Sequence, residues 1–190
     1  SRDWSSDVCS SDLWQELAFL LGYITGSRRV SCPDDLSITR RAWYAFQVIN
    51  YHELTLLILG VVVFFMNLDA SNQTGFWTFI ILWGMRQSTK LNIFLGVLNF
   101  NEAFLPQHLK YLITYFRRRE MNFLMPFSIL LSILFLIPIW LRVTLESSPF
   151  EIASSALLGT LLALGLLEHL FLIIPFPSEI LWKWGYKNHR

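Results

Sequence analysis

The sequence is poor in charged residues. Asp, Glu, Lys and Arg make up 15% of its 190 residues, whereas a soluble domain usually carries about 25%. The net charge of +1 gives no basis for a nucleic-acid partner, because binding to phosphates calls for a clear excess of Lys and Arg. We therefore expect no nucleic-acid binding, and an environment for much of the chain that is less polar than water.

Cysteine is also scarce, and the common catalytic motifs are missing. The two cysteines, Cys9 and Cys32, are too few to predict a disulfide framework. The sequence contains no Gly-rich phosphate loop, no CxxC, no HExxH and no GxSxG, each of which carries a known chemistry. The sequence therefore favours a protein that is not an enzyme.

The abundant residues are apolar, and they form long blocks. Hydrophobic residues make up 54% of the chain. About 20 predominantly apolar residues in a helix cross the hydrocarbon core of a bilayer. Four blocks reach this length, so the sequence predicts an all-α fold, a polytopic transmembrane helix bundle. The four predicted spans are at about 42–66, 76–98, 121–145 and 151–174.

The first residues have the sequence expected of a sequencing artefact. Residues 3–13 read DWSSDVCSSDL, which is the translation of a common sequencing-library adapter. We therefore expect residues 1–13 to be an adapter-derived tail. Residues 14–190 are then a single transmembrane domain, the C-terminal part of a larger protein. Within it, residues 14–25 are too short to span a membrane, and we interpret them as the end of a truncated helix.

Lys and Arg are distributed unevenly among the connections between the predicted spans. The connections at 67–75 and 146–150 contain none, whereas most of them lie at 26–41, at 99–120 and in the C-terminal tail. Connections rich in Lys and Arg are retained on the cytoplasmic side of a membrane. We therefore expect the two long connections and the C-terminus to face the cytoplasm.

One of these basic connections has an amphipathic segment. In residues 104–116, apolar side chains recur at the spacing of one α-helix face, which predicts a helix lying in the membrane interface. They are Leu105, Leu109, Leu112, Ile113 and Phe116. An ordinary basic cluster that stops membrane transfer explains the same residues equally well. In both cases we expect the basic run after the segment to contact anionic lipid headgroups. The residues of this run are Arg117, Arg118 and Arg119.

Ionisable and amide side chains also lie inside the predicted spans and the truncated helix. A charge at the centre of a bilayer costs at least ~2.5 kcal/mol, so each needs a partner or a function. Arg86 and Lys90 are four residues apart and share one helix face. We expect them to pair with carboxylates of neighbouring helices, Glu53 and Glu168, with Glu16 as a third candidate. The full predicted network comprises Glu16, His52, Glu53, Arg86, Lys90, Asn92, Glu168 and His169.

Three interpretations of this network remain open at the level of the sequence. It can fix only the register and packing of the helices. Alternatively, His52 and His169 can ligate a metal or a tetrapyrrole such as bacteriochlorophyll, because neutral imidazole is an axial ligand of such groups. Finally, the carboxylates and cations can form the path of a proton or a small solute.

Five segments give the sequence a family resemblance. They read TGSRRVSCP (25–33), HELTLL (52–57), LWGMRQSTKLNIFLGVLN (82–99), EAFLPQHLKYLITYFRRREMN (102–122) and LEHLFLIIPFP (167–177). In order and spacing they resemble the photosynthetic complex assembly proteins of the PuhE type. Ser27 stands where proline is usual in that family.

The resemblance implies a multi-pass protein of the bacterial inner membrane, cytoplasmic or intracytoplasmic. It implies a factor that assists the assembly of reaction-centre and light-harvesting complexes or influences the supply of bacteriochlorophyll. The partners implied are photosynthetic complex subunits, pigment-synthesis proteins and membrane lipid. It implies no catalytic mechanism, and it assigns no ligand to either histidine.

Overall fold

The computed structural model describes residues 5–100, 105–146 and 148–175. Within these ranges the chain forms five α-helices and one 3-10 helix, and no β-strand, which confirms the all-α fold. The α-helices are α1 (Ser5–Leu20), α2 (Ile38–Asn67), α3 (Thr74–Leu95), α4 (Leu124–Leu145) and α5 (Pro149–Ile173), and the 3-10 helix is Gln107–Tyr115.

Each of the four predicted spans corresponds to one α-helix. By length and composition α2, α4 and α5 can each cross a membrane. Helix α3 has 22 residues, as many as α4, but it carries Arg86, Lys90 and several uncharged polar residues. The fourth span was predicted because its apolar block is long enough to cross a bilayer. That α3 crosses the membrane remains a prediction, supported by the two spanning helices that flank it.

The surface of the bundle is apolar and much of its interior is polar. Helix α4 exposes Phe127, Leu131, Phe135 and other large apolar side chains, while Ser128 and Ser132 of the same helix are buried. Water would penalise such a surface, whereas lipid accepts it and leaves polar side chains to bind each other inside the bundle. The described helices therefore have the inverted pattern of a membrane protein.

Helix α3 lies at the centre and contacts every other α-helix, while α4 packs mainly along α5. Close approach at these contacts requires small residues. Gly159 of α5 lies against Trp140 of α4, and Gly165 of α5 lies against Met85 of α3. Helix α3, which carries Arg86 and Lys90, is thus packed among the other four α-helices.

Helix α1 begins before the predicted boundary and ends earlier than predicted. It covers part of the expected adapter-derived tail, and Val8 packs against Val63 and Phe79. The origin of residues 1–13 stays a prediction. The predicted helical segment 14–25 extends too far, because the helix ends at Leu20 and Gly22 has a positive φ of 81°, which favours glycine and terminates a helix.

The loop after α1 packs closely along α2. The backbone N–H of His52 donates to Thr25 O at 3.0 Å, and the N–H of Arg28 donates to Gln47 O at 3.3 Å. A Cβ atom on Gly26 would collide with the backbone carbonyls of Gln47 and Val48. Glycine is therefore required at position 26, because the two backbones touch there.

We predict opposite effects for two glycine substitutions. Gly26→Ala displaces the loop from α2 and should lower the free energy of unfolding by about 2 kcal/mol or more, as overpacking against a rigid backbone does. Gly84→Ala meets no atom within 4 Å and should raise it by up to ~1 kcal/mol through helix propensity. Denaturant titration of the two variants in bicelles checks this. Equal stability of both variants would contradict the packing described here.

The predicted interfacial helix is instead a 3-10 helix that packs onto protein. Leu109, Leu112 and Tyr115 are buried and cluster with Val48 of α2. Their spacing of three residues matches the 3-10 turn, whereas the prediction placed Ile113 on the buried face with α-helical spacing. The apolar face is thus covered by α2 and the loop after α1, not by lipid.

Tyr115 joins three segments at this end of the bundle. Its side chain is 0% exposed; its hydroxyl donates to Val30 O and accepts from Arg28 Nε, both at 2.8 Å. Arg41 donates to the backbone oxygen of Tyr115. Arg28 and Arg41, which the sequence placed among the basic residues of a cytoplasmic loop, therefore hold protein segments together.

Replacing Tyr115 with phenylalanine should loosen the loop. The change removes two hydrogen bonds, one of them to a charged group, so we expect a loss of about 2 kcal/mol and faster amide hydrogen exchange at residues 22–32. Tyr111→Phe is the matched control, because the Tyr111 hydroxyl is buried without a hydrogen-bond partner and burial raises its pKa. The control should be neutral or stabilising, and a larger loss for it than for Tyr115→Phe would refute this assignment.

Candidate functional site: two polar clusters and a cleft in the helix bundle

An ion pair joins α2 to α3 inside the bundle. Lys90 Nζ lies 2.6 Å from Glu53 Oε1, and Gln87 Nε2 donates to Glu53 Oε2 at 2.6 Å. The side chain of Glu53 is 15% exposed and that of Lys90 is 29% exposed. Both carboxylate oxygens thus have a donor, which offsets the cost of removing the charges from water.

A second carboxylate connects α1 to the same two helices. Glu16 Oε1 lies 3.3 Å from Arg86 Nη1 and 3.5 Å from His52 Nε2. His52 is buried, and neither ring nitrogen makes an aligned hydrogen bond. Arg86 and Lys90 share one face of α3 as the sequence predicts, and each meets a carboxylate from a different helix. We call these five side chains, with Gln87, the charged cluster.

Glu168 lies apart from the charged cluster. It was expected to pair with Arg86 or Lys90, but it is exposed on α5, and it makes no ion pair within the described part of the chain. The reason is the helix angle: adjacent residues point about 100° apart, and the neighbouring His169 is the one that faces α3. Of the two α5 residues in the predicted network, His169 contacts α3 and Glu168 does not.

His169 is the centre of a second polar cluster, formed with serine and asparagine side chains. Its Nε2 lies 2.8 Å from Ser88 Oγ of α3, and its Nδ1 lies 2.8 Å from Gly165 O. Ser128 of α4 accepts hydrogen bonds from Ser88 Oγ and from Asn92 Nδ2, each at 3.0 Å. These contacts tie α3, α4 and α5 together, and we call them the serine–histidine cluster.

Asn122 extends this cluster, and the sequence interpretation missed it. Its Nδ2 donates to the carbonyls of Asn92 and Gly96 at the end of α3. Its Oδ1 accepts from the backbone N–H groups of Leu124 and Met125 at the start of α4. One side chain thus caps two helices. The available signal was an asparagine at the very start of the predicted span 121–145, where a residue of this type is a common N-terminal cap.

Ligation of a metal or a tetrapyrrole by His52 or His169 stays a prediction. A carbonyl only accepts hydrogen bonds, so Nδ1 of His169 carries a proton and donates to Gly165 O, while Nε2 contacts Ser88 Oγ; both ring nitrogens of His169 therefore have partners within the protein. Both ring nitrogens of His52 are buried. Within the described residues no three His, Cys, Asp or Glu side chains group in a way that could hold a metal ion.

A cleft of about 820 Å³ opens beside the charged cluster. This volume lies within the range of small-molecule sites in proteins. Its wall is mainly apolar and aromatic, with residues from α1, α2, α3 and the 3-10 helix, and Glu53, Gln87 and Lys90 contribute polar groups partway along it. The cleft therefore fits an elongated apolar group better than a polar solute.

The basic run stands at the same end of the bundle. Arg118 and Arg119 are exposed and Arg117 is partly buried. The backbone N–H of Arg117 donates to Phe94 O at 3.3 Å, so the run is attached to the end of α3. Its predicted contact with anionic headgroups stays a prediction.

Helices with apolar surfaces, paired charges in the interior and an apolar cleft define a polytopic helical membrane protein. Within that class, the chain belongs to the family described as "Protein of unknown function (DUF3623)", which matches residues 10–190. It is 38% identical over 172 residues to a Rhodobacter capsulatus protein described as "Uncharacterized 30.4 kDa protein in puhA 5'region". The match covers 90% of this chain and 62% of that relative. No solved structure matches the chain.

Proposed function

We propose that this chain is part of a non-enzymatic factor of the bacterial inner membrane. The factor would assist the assembly of photosynthetic complexes or influence the supply of bacteriochlorophyll to them. The observation that carries the proposal is the relative described by its place in the puhA 5′ region. The resemblance of five segments to assembly proteins of the PuhE type points in the same direction.

The geometry supports a structural role for the interior charges. Lys90 and Glu53 bind each other, and Arg86 pairs with Glu16, so each of these four charges has a partner without a substrate. Buried pairs of this kind fix the register of helices in some proteins. Partner subunits would then bind the outer faces of the bundle. Helices α2 and α4 expose many large apolar side chains there, and such faces suit transmembrane helices of another protein.

The test uses the Rhodobacter capsulatus relative. Its gene is deleted, and the strain is complemented with the full-length relative or with a chimera in which this chain replaces the matching segment. We expect the deletion to lower the near-infrared absorption of reaction-centre and light-harvesting complexes in isolated membranes severalfold, and both genes to restore it. A respiratory complex measured in the same membranes is the control. Unchanged photosynthetic complexes in the deletion strain would overturn the proposal.

Cross-linking in the complemented strain then asks for partners. A photoreactive residue at exposed positions Phe127 or Leu131 of α4 should capture a photosynthetic subunit or a pigment-synthesis protein. The same residue at buried Ser132 is the matched control and should capture nothing. If neither Phe127 nor Leu131 captures such a protein, the exposed face of α4 does not have the role proposed here.

A further inference from the structure

Two cavities meet at the end of the bundle that holds the 3-10 helix. The larger is the cleft of about 820 Å³, and the smaller has about 360 Å³ and includes the basic run. Ile93, Phe100 and Phe116 line both. The two cavities therefore adjoin at these three residues.

The cleft is long rather than compact. Along α2 its wall extends from Ala42 to Leu57, which corresponds to about 22 Å at the helical rise. Along α3 it extends from Trp83 to Phe94, or about 16 Å. The hydrocarbon half-thickness of a bilayer is about 15 Å. The length and the apolar wall therefore match an extended hydrocarbon chain.

The smaller cavity is basic. Arg117, Arg118 and Arg119 line it together with Glu120, so its formal charge is +2. The backbone fixes the position of this run: Gly96 has a φ of 110°, and a Cβ atom there would lie 2.9 Å from Arg117 O. Arginine donors held in place recognise phosphate oxygens with two parallel hydrogen bonds.

Most polar side chains in the wall of the cleft have partners within the protein. Glu16 lies 3.3 Å from Arg86 Nη1 and Asn50 binds Ser27, whereas the buried ring nitrogens of His52 make no hydrogen bond. Lys90 and Gln87 both donate to Glu53, so this part of the wall is already paired. A hydrocarbon chain can pass along it at little cost, whereas an unpaired charge would exclude the chain.

We propose that the two cavities form one binding site for an anionic phospholipid of the surrounding bilayer. One acyl chain lies in the cleft along α2 and α3, and the phosphate lies against the basic run. The site is built into the protein between helices, so it differs from general contact with the bilayer. The inference does not depend on the proposed role in photosynthesis.

The experiment places the full-length protein in nanodiscs made from phosphatidylglycerol and phosphatidylcholine in equal amounts. Native mass spectrometry counts the lipids that stay bound after release from the disc. We expect phosphatidylglycerol to be retained in preference to phosphatidylcholine. Arg119→Gln should lower this preference roughly fivefold, the effect of about one basic residue near an anionic surface. Arg40→Gln, an exposed arginine that does not line either cavity, should change it less than twofold.

A second measurement locates the acyl chain. Phosphatidylglycerol with a photoreactive group at the end of one chain should label Leu57 or Trp83 at the far end of the cleft. Ala42→Trp narrows the cleft near the basic run and should abolish this labelling while the helical content measured by circular dichroism is unchanged. Inorganic phosphate alone should not displace the bound lipid.

Four results of these experiments would contradict binding of an anionic phospholipid in the two cavities. Labelling confined to lipid-facing residues of α4, or equal loss of preference in Arg119→Gln and Arg40→Gln, would overturn the proposal. Displacement of the lipid by inorganic phosphate would also overturn the proposal, because the acyl chain would then contribute nothing to binding. A coloured preparation in which a pigment occupies the cleft instead would also refute the lipid as its occupant.

Discussion

Replacing Asn122 with alanine is expected to lower the free energy of unfolding by about 3 kcal/mol. The change removes the cap of α4, worth about 1 kcal/mol, and the two donors to the end of α3. Two buried N–H groups, those of Leu124 and Met125, lose their acceptor, and neither lipid nor the packed interior offers a replacement. Each buried group left unpaired costs about 1–3 kcal/mol, and partial relaxation limits the sum.

Asn72→Ala is the matched control. Asn72 also accepts from a backbone N–H two residues later, that of Thr74 at the start of α3, but it is only partly buried and caps only one helix. Its loss should stay near 1 kcal/mol or below. Titration of both variants with denaturing detergent in bicelles measures the difference. A loss for Asn122→Ala no greater than for Asn72→Ala would show that the link between α3 and α4 is weak.

Replacing Lys90 with methionine is expected to cost about 3–5 kcal/mol. The change leaves Glu53 inside the bundle with Gln87 as its remaining donor, and breaking a buried pair by removing one partner is costly in this range. The same change at exposed Lys110, outside the α-helices, should alter stability by no more than ~0.5 kcal/mol. Thermal unfolding followed by circular dichroism in nanodiscs compares the two. Equal melting temperatures of the two variants would contradict a buried charge at Glu53.

Much of the architecture follows from physical limits that the sequence already displays. The thickness of a bilayer fixes how many apolar residues a span needs, and each of the four predicted spans corresponds to a helix. The cost of charge in lipid singled out Arg86, Lys90, Glu16 and Glu53, and the structure brings these four into two pairs.

The remaining features depend on angles and on backbone contacts that a pattern of residue types does not encode. Glu168 and His169 differ by one step on α5, and that step decides which of them faces α3. A 3-10 helix stands where an α-helix was predicted, and its Tyr115 binds the loop after α1, a contact over more than 80 residues. Asn122 was missed because it lies at the very start of the predicted span 121–145, whereas the prediction concentrated on polar groups deep inside the spans.

We propose that the charges inside the bundle serve to bind each other across helices. A double-mutant cycle with Glu53→Gln and Lys90→Met measures this directly. We expect a coupling energy of about 2–3 kcal/mol, because side chains in direct contact couple in this range. The double variant should then be more stable than Lys90→Met alone. A coupling energy below ~0.5 kcal/mol, the value typical of independent sites, would contradict this role of the charges.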